Sequence, residues 1–372
     1  MLRRQSSRWV NLGFQLVAIL IAIGFTTVIL VLAGAPPISA YQQMIKGAVG
    51  SMANISDVLV SWAPLLICTA GLLVTFAAGL WNIGIEGQIT LGAIFCTWVL
   101  RSLQNSSVSP TLIIALGILA GMIGGMLWAI LVGVLKTFGG VNEIFGGLGL
   151  NFVATGIAVY LTLGPWARPG VASPYSAGFL RDSAWLPTFP GGLAVGPIEI
   201  AVAVVSLALV YFALRGTLWG LKLKAIGKNT RSAFWLGIPT DRYMLAAFAL
   251  CGVFAGMAGT VQTIGVWHKF ISTISQGYGY LGILVVLLAG FQAVGTPFVA
   301  FFFVAAMQGS VPLQSAMQLD PALGGVLSGI IVLLVVLGQG VRARWQRANV
   351  SARIDSAVLA SPVGTTTTIV EK

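Results

Sequence analysis

One acid and two amides stand close together in an otherwise apolar part of the chain. Asn82, Glu86 and Gln88 share a stretch with glycines at positions 79, 84, 87 and 92, and no Lys or Arg occurs between residues 57 and 101. Amide groups offer paired donors and acceptors that suit hydroxyl groups and base edges. The stretch is therefore a candidate contact surface for a polar molecule.

The surroundings of this stretch restrict where Glu86 can point. An ionised carboxylate in hydrocarbon costs several kcal/mol, so we expect Glu86 to face a protein interior, a water-filled path or a membrane boundary. Each glycine weakens a continuous helix by about 1 kcal/mol relative to alanine, which favours a broken or closely packed helix beside a pathway. The alternative is that the glycines only pack helices together and that Glu86 reaches the interface from a helix end.

Two further amides extend the candidate pathway. Asn142 and Asn151 stand near the start of another apolar run and carry the same donor and acceptor pairs as Asn82 and Gln88. Asn142 and its neighbour Glu143 could instead simply cap the helix that begins there. Both interpretations stay open at this point.

The composition is that of an integral membrane protein. Of the 372 residues, 57% are apolar and 8% are charged, whereas about 25% are charged in an ordinary globular protein. The net charge of +11 would suit a nucleic-acid partner, but the basic residues cluster between apolar runs, where they set membrane orientation. We therefore expect contact with membrane lipid and none with a nucleic acid polymer.

Windows of about 20 apolar residues predict an all-α, polytopic membrane protein with about ten transmembrane helices, some of them broken near the midplane. Residues 36–56 predict a short interfacial helix, and Gly117, Gly121 and Gly125 have the four-residue spacing that lets helices approach closely. We interpret residues 1–340 as one transmembrane domain and 341–372 as a cytoplasmic tail with a disordered end. The expected spans are 12–34, 57–80, 84–100, 111–135, 141–164, 197–214, 243–266, 279–294, 298–313 and 322–340, with a loop at 312–321.

The basic residues predict the orientation of these spans. Ten spans place 15 of the 20 Lys and Arg residues on the side that holds both termini. The positive-inside rule then puts the termini and residues 215–242 in the cytoplasm.

Residues 215–242, called the basic segment below, are the most polar internal part of the chain. Asn229 or Thr230 can cap a short helix that runs to Leu236 and is ended by Gly237 and Pro239. Such a helix would expose the apolar residues 233–236, a surface that a cytoplasmic partner would bury. The alternative is a basic loop that lies on the membrane, with its tryptophans among the headgroups.

The motif Trp81-Asn82-Ile83-Gly84-Ile85-Glu86-Gly87-Gln88 resembles the signature of permease subunits of ABC importers for nucleosides and simple sugars. These belong to the larger superfamily of branched-chain amino acid and ribose permeases. The resemblance continues through Asn142, Glu143 and Asn151, then residues 223–238 and 277–303, and it covers most of residues 55–340.

The resemblance implies a set of roles and partners. The chain would be a non-catalytic permease of a prokaryotic inner membrane, working by alternating access with a cytoplasmic ATPase subunit, a second homologous permease in a heterodimer and an extracytoplasmic solute-binding protein. It would bind no cofactor, since ATP and Mg²⁺ belong to the ATPase. Asn82, Glu86, Gln88, Asn142 and Asn151 would line the pathway. The coupling helix that docks on the ATPase would contain Gly227, Lys228, Asn229, Arg231, Ala233, Phe234, Trp235 and Gly237.

Two other classes of protein remain as alternatives to an ABC permease. An ion-coupled transporter is expected to hold carboxylates in mid-span, and Glu86 is the sole candidate away from helix ends. An intramembrane metalloenzyme needs more than the single His268, which we expect to be a solvated loop residue, so no metal site is predicted. A neutral solute fits best, with nucleosides preferred and simple sugars as the alternative.

Overall fold

The computed structural model describes residues 34–167, 177–178, 180–191 and 193–317, together with 21, 23–28, 30–32 and 329. Its contacts divide the chain into a compact unit, Ile38–Pro321, and a second unit made of both chain ends. Most of the predicted span 12–34, the span 322–340 and the tail 341–372 lie outside the described residues.

The described part of the chain is helical and contains no β-strand, which confirms the predicted all-α class. A single 3₁₀ turn occupies Asp182–Ala184, and a π-helical turn, Gln262–Trp267, follows α9. In chain order the helices are α1 (Pro37–Val49), α2 (Met52–Ala77), α3 (Ile85–Leu103), α4 (Pro110–Thr137), α5 (Glu143–Leu163), α6 (Pro197–Gly216), α7 (Leu218–Lys228), α8 (Thr230–Trp235), α9 (Thr240–Val261), α10 (Tyr278–Leu288) and α11 (Thr296–Met317).

Several helices are long and apolar enough to cross a membrane. Within the described residues there are five of them: α2, α4, α5, α6, and α9 taken with its π-helical turn. Helices α10 and α11 are shorter apolar helices. The chain is thus a polytopic membrane protein, while the count of ten spans stays a prediction.

Helices α2 and α9 form the centre of the bundle. Their apolar windows are 83% and 67% buried, whereas those of α5 and α6 are only 22% buried. Helix α9 packs against α2, α3 and α4. The outer helices therefore present apolar faces to whatever surrounds the chain, as expected for lipid or for a second subunit.

Glycines allow α9 to approach α3 and α4 closely. A Cβ atom on Gly92 would lie 2.7 Å from the carbonyl oxygen of Gly256, and one on Gly125 would lie 2.6 Å from the Cα of Gly256. Both distances are shorter than real carbon contacts allow. Gly117, Gly121 and Gly125 are all buried, so the packing role predicted from their spacing is confirmed.

Two details differ from the sequence-based expectations. Helix α11 continues through Pro312 to Met317, so the loop expected at 312–321 does not begin at 312. Gly47 of α1 packs directly against the ring of Pro312, which places the proline in a helix–helix contact rather than in a loop. His268 is half-buried rather than solvated, because its ring stacks on Trp185 with centroids 4.0 Å apart. Burial lowers the pKa of His268, and the charge of Asp182 opposes that shift.

Candidate functional site

The polar stretch found in the sequence forms a break between two helices. Helix α2 ends at Ala77, the chain turns at Gly79 with φ +73°, and α3 starts at Ile85. The positive φ favours glycine at this position. The prediction of a broken, closely packed segment is confirmed, since a Cβ on Gly84 would lie 3.0 Å from the Cα of Gly147 on α5.

Glu86 joins this break to a second one, the segment between the π-helical turn and α10, which ends at Gly277 with φ +76°. Its side-chain oxygen Oε1 accepts hydrogen bonds from the backbone N–H of Gly279, at 2.8 Å, and of Tyr280, at 3.1 Å. These N–H groups belong to the first turn of α10, whose N-terminus carries positive partial charge that favours a carboxylate. Glu86 is only 7% exposed, so it faces the protein interior as expected and does not reach an interface.

Asn82 and Gln88 bind each other across the break. The amide nitrogen of each donates to the amide oxygen of the other, with both distances 2.9 Å. The Asn82 amide nitrogen also lies 3.1 Å from the sulfur of Cys251 on α9. Both amides are fully buried. Because their polar atoms are used internally, the pair fixes the shape of the break and ties it to α9.

Asn151 connects α5 to both breaks. Its oxygen accepts from the N–H of Gly87 at 2.8 Å, and its nitrogen donates to the carbonyl of Ile83 at 2.9 Å and to the Tyr280 hydroxyl at 3.2 Å. Asn151 is 6% exposed, whereas Tyr280 is 43% exposed. The polar network thus reaches the protein surface at Tyr280, a residue that the sequence reasoning did not single out.

Asn142 lies apart from this network. It is exposed and caps α5, because its side-chain oxygen accepts from the N–H of Ile144 at 2.9 Å. Glu143 pairs with Lys136 at 2.7 Å. These are the contacts that the capping interpretation expected, and a pathway role for Asn142 stays a prediction.

The basic segment contains α7 and α8. Helix α8 starts after the predicted cap Asn229 and ends at Trp235, one residue before the predicted end, whereas α7 was not predicted from the sequence. Asn229 accepts from the N–H of Ser232 at 2.9 Å and caps α8, and Gly237 follows it with φ +78°. Phe234, Trp235 and Leu236 are 62%, 76% and 79% exposed, as expected. Lys228 and Arg231 are exposed beside them.

One member of the predicted apolar surface is placed differently. Ala233 is only 2% exposed, so the expectation that it would be exposed is wrong. It lies on the inner face of α8, where its N–H bonds to the carbonyl of Asn229 and its carbonyl accepts from Ile238 at 3.2 Å. Side chains on a helix point in successive directions around its axis, so in the six-residue helix α8 the side chain of Ala233 faces the protein while those of its neighbours face outward.

Gln262 is a second residue that the sequence reasoning missed. It is 1% exposed, at the start of the π-helical turn, and neither polar atom of its side chain makes a hydrogen bond of normal geometry within the described part of the chain. Tyr278 lies near enough to interact with it. Buried amides without partners are rare and π-helical turns are frequent at functional sites, but neither signal is visible before the helix is known.

The described residues contain no group of three His, Cys, Asp or Glu side chains placed to hold a metal ion. The arrangement can order backbone segments and offer hydrogen bonds to a neutral molecule.

Comparison with known proteins identifies one family of transport permeases and relatives with matching descriptions. The model of the family described as "Branched-chain amino acid transport system / permease component" matches residues 54–336. The chain is similar to a glucose ABC transporter permease protein of Haloferax volcanii, with 29% identity over 346 residues, covering 91% of this chain and 90% of the relative. It is also similar to two nucleoside ABC transporter permease proteins of Lactococcus lactis. These show 23% identity over 339 residues and 24% over 320 residues, covering 87% and 79% of this chain and 90% and 95% of the relatives.

Proposed function

The chain belongs to the family of branched-chain amino acid transport system permease components, and from this premise we propose that it is the membrane-spanning subunit of an ATP-driven importer. Its cargo is a neutral polar solute, nucleosides first and simple sugars as the alternative. The observation that carries the proposal is the buried polar network of the first break, in which Asn82 and Gln88 bind each other and Glu86 and Asn151 make the contacts to the second break, all within the part of the chain that the family model matches.

The energy for transport comes from a separate ATPase subunit that docks on α8. Three observations support this assignment: the exposed side chains of Phe234, Trp235 and Leu236, the adjacent cations Lys228 and Arg231, and the rigid capping of α8 by Asn229. Aromatic residues and arginine on a fixed helix are the side chains that dominate the energy of protein interfaces. ATP and Mg²⁺ bind to that partner.

Movement of α8 reaches the break through α7. Gly227, in the last turn of α7, lies against Gly79, in the turn between α2 and α3. Three residues further along from Gly79, Asn82 begins the polar network. A shift of α7 therefore acts on the segment that positions Glu86 and Gln88, and the two access states differ in how this segment is held.

The solute passes beside the network rather than through its buried centre. Tyr280 is the exposed end of the network, and Trp81, at 40% exposure, stands next to Asn82 in sequence. We place the pathway along this surface, at the junction with a second, homologous permease subunit. Lactococcus lactis has two nucleoside permease relatives of this chain, which supports pairing of two different permeases.

The groups of the polar network support a neutral solute, because they offer no free charge to pair with a charged one. The carboxylate of Glu86 is already occupied by two N–H groups, and the other groups of the network are amides and a phenol. Both termini and the basic segment lie on the cytoplasmic side, and an extracytoplasmic binding protein delivers the solute to the opposite face.

The competing function is an ion-coupled transporter, in which Glu86 would carry a proton or bind a cation. The decisive experiment is uptake into proteoliposomes that contain this chain with its ATPase, partner permease and binding protein. We expect uptake of a radiolabelled nucleoside to continue when ionophores collapse all ion gradients and to stop when ATP is withheld. Uptake that follows an ion gradient without ATP would overturn the proposal, and uptake of ribose or glucose but no nucleoside would select the sugar alternative.

A further inference from the structure

A cavity opens where α2, α6, α7 and the segment after α10 meet. It has a volume of about 450 Å³ and lies at the last turns of α2 and α6, where two residues of the basic segment line it. Its walls include Leu73 and Phe76 from α2 and Phe291 and Val294 from the segment after α10. Arg215 and Lys224 are the charged residues of the lining, which also contains Ala77, Tyr211, Leu214, Gln292 and Ala293. The cavity is separate from the polar network at Glu86, none of whose members lines it.

The two cations in this cavity have no carboxylate partner among the residues that the structure describes. The Arg215 guanidinium donates to the Tyr211 hydroxyl, and the Lys224 ammonium donates to the carbonyl oxygen of Leu214 at 2.5 Å. Neither forms an ion pair with any carboxylate in the described ranges. The C-termini of α2 and α6 each contribute roughly half a negative charge, so about one positive charge remains uncompensated. This residual charge favours an anionic ligand.

Most of the remaining walls are apolar; their polar side chains are Tyr211, whose hydroxyl already accepts from Arg215, and Gln292. The apolar walls adjoin a surface suited to acyl chains. Leu73, Phe76, Phe291 and Val294 offer no group that would bind a freely soluble anion. On the neighbouring α6, Leu209 and Phe212 are 60% and 67% exposed, which is the arrangement of a lipid-facing helix surface. A ligand that fits must combine an anionic headgroup with a hydrocarbon chain.

We infer that this cavity binds an anionic phospholipid of the cytoplasmic leaflet. The phosphate of the lipid lies between Arg215 and Lys224, and the start of one acyl chain lies against Phe76 and Phe291. Basic pockets between helices at the cytoplasmic boundary suit such headgroups. The choice of leaflet rests on the orientation proposed above, whereas the choice of ligand rests on the cavity alone.

The lipid would stabilise the contact between α7 and the end of α2, through which a shift of the basic segment reaches the polar network. The cavity includes Ala77, the last residue of α2, and Lys224 in α7. Gly227 of α7 contacts the backbone directly after Ala77. A bound headgroup thus holds α6, α7 and α2 in one relative position, and we expect the lipid to modulate transport as well as stability.

The test is native mass spectrometry of the assembled transporter with added phosphatidylglycerol or phosphatidylcholine of identical acyl chains. The variant Arg215→Gln/Lys224→Gln removes both cations. The variant Lys222→Gln/Arg242→Gln removes two exposed cations outside the cavity and is the matched control for net charge. A third variant, Val294→Trp, fills the cavity without changing charge, and size-exclusion chromatography checks that each variant is folded.

We expect phosphatidylglycerol to remain bound to the wild type and the control within twofold of each other. Phosphatidylglycerol binding should fall at least about tenfold in both cavity variants, Arg215→Gln/Lys224→Gln and Val294→Trp. Phosphatidylcholine should bind to the wild type at least about tenfold more weakly than phosphatidylglycerol does. Equal binding of the two lipids, or unchanged phosphatidylglycerol binding in both cavity variants, would overturn the inference. Displacement of the lipid by millimolar glycerol 3-phosphate would also overturn it, since the cavity would then be a site for a soluble anion.

Discussion

Gly79 and Gly227 lie backbone against backbone, at the point where the break before α3 meets the end of α7. A Cβ on Gly227 would lie 2.9 Å from the nitrogen of Gly79, and one on Gly79 would lie 3.1 Å from the Cα of Gly227. Any side chain at Gly227 would also collide with the carbonyl oxygen of Ala77. This contact is the shortest link between the basic segment and the polar network around Glu86.

The first prediction concerns this contact. Gly227→Ala should lower ATP-driven uptake about tenfold, because overpacking typically costs about 1–3 kcal/mol and here pushes α7 away from the turn at Gly79. Binding of the ATPase should stay within twofold of wild type, because α8 is unchanged. Uptake and ATPase binding are measured on the same proteoliposomes.

Gly216→Ala is the matched control, since a Cβ on Gly216 meets nothing within 4 Å. It should transport at the wild-type rate. Full transport by Gly227→Ala would show that the contact with Gly79 has no part in coupling.

A second prediction concerns the link between the two breaks. Glu86→Gln replaces the carboxyl group that accepts from the Gly279 and Tyr280 N–H groups with one amide oxygen and one NH₂ group, so fewer acceptor atoms face these donors. A buried donor left without its partner costs about 1–3 kcal/mol. We expect normal amounts of folded protein with uptake reduced about tenfold or more. Uptake assays and size-exclusion chromatography on the same preparation separate the two effects.

Glu199→Gln is the control for loss of a buried carboxylate, because Glu199 caps its own helix through the N–H of Gly196 at 2.8 Å and packs against Gly265 of the π-helical turn, whereas Glu86 binds the first turn of α10. Its uptake should remain within about twofold of wild type. If Glu86→Gln and Glu199→Gln transported equally well, Glu86 would serve only to cap α10 and would have no part in transport.

A third prediction uses the reciprocal amide pair. Asn82→Leu alone leaves both polar atoms of Gln88 buried without their partner, which should cost about 1–3 kcal/mol and lower the unfolding temperature. The double variant Asn82→Leu/Gln88→Leu should recover part of that loss, because no unpaired amide remains. Thermal unfolding of the wild type, both single variants and the double variant gives the coupling energy directly. Purely additive effects would contradict the pairing.

Much of this architecture was accessible from sequence because membrane insertion leaves strong signals. Apolar runs gave the helices, with boundaries shifted by a few residues, and the glycine spacing at 117, 121 and 125 gave the close packing of α4. The broken segment followed from an acid and glycines in an apolar run. The cap at Asn229 followed from side-chain chemistry and the Gly and Pro that end the helix.

The partners of the polar groups could not be deduced in the same way. That Glu86 binds the first turn of α10 depends on a contact between residues 193 positions apart in the chain, and no local pattern encodes it. The exposure of Ala233 was predicted wrongly because a short helix can rotate by one residue without changing its composition. Tyr280 and Gln262 were missed because an aromatic or amide at a span boundary carries no distinctive signal until its neighbours are known.

The central claim is that α8 connects this chain to a separate ATPase, and the most direct measurement is binding of that subunit to the permease in nanodiscs. The variant Phe234→Asp/Trp235→Asp is compared with wild type and with Leu218→Asp/Leu221→Asp, which alters two residues of α7 that are 76% and 64% exposed. Loss of an interface hot spot costs at least about 2 kcal/mol, so we predict that the α8 variant binds about 30-fold or more weakly while the α7 control stays within threefold. Full-strength binding by the folded α8 variant would contradict the account.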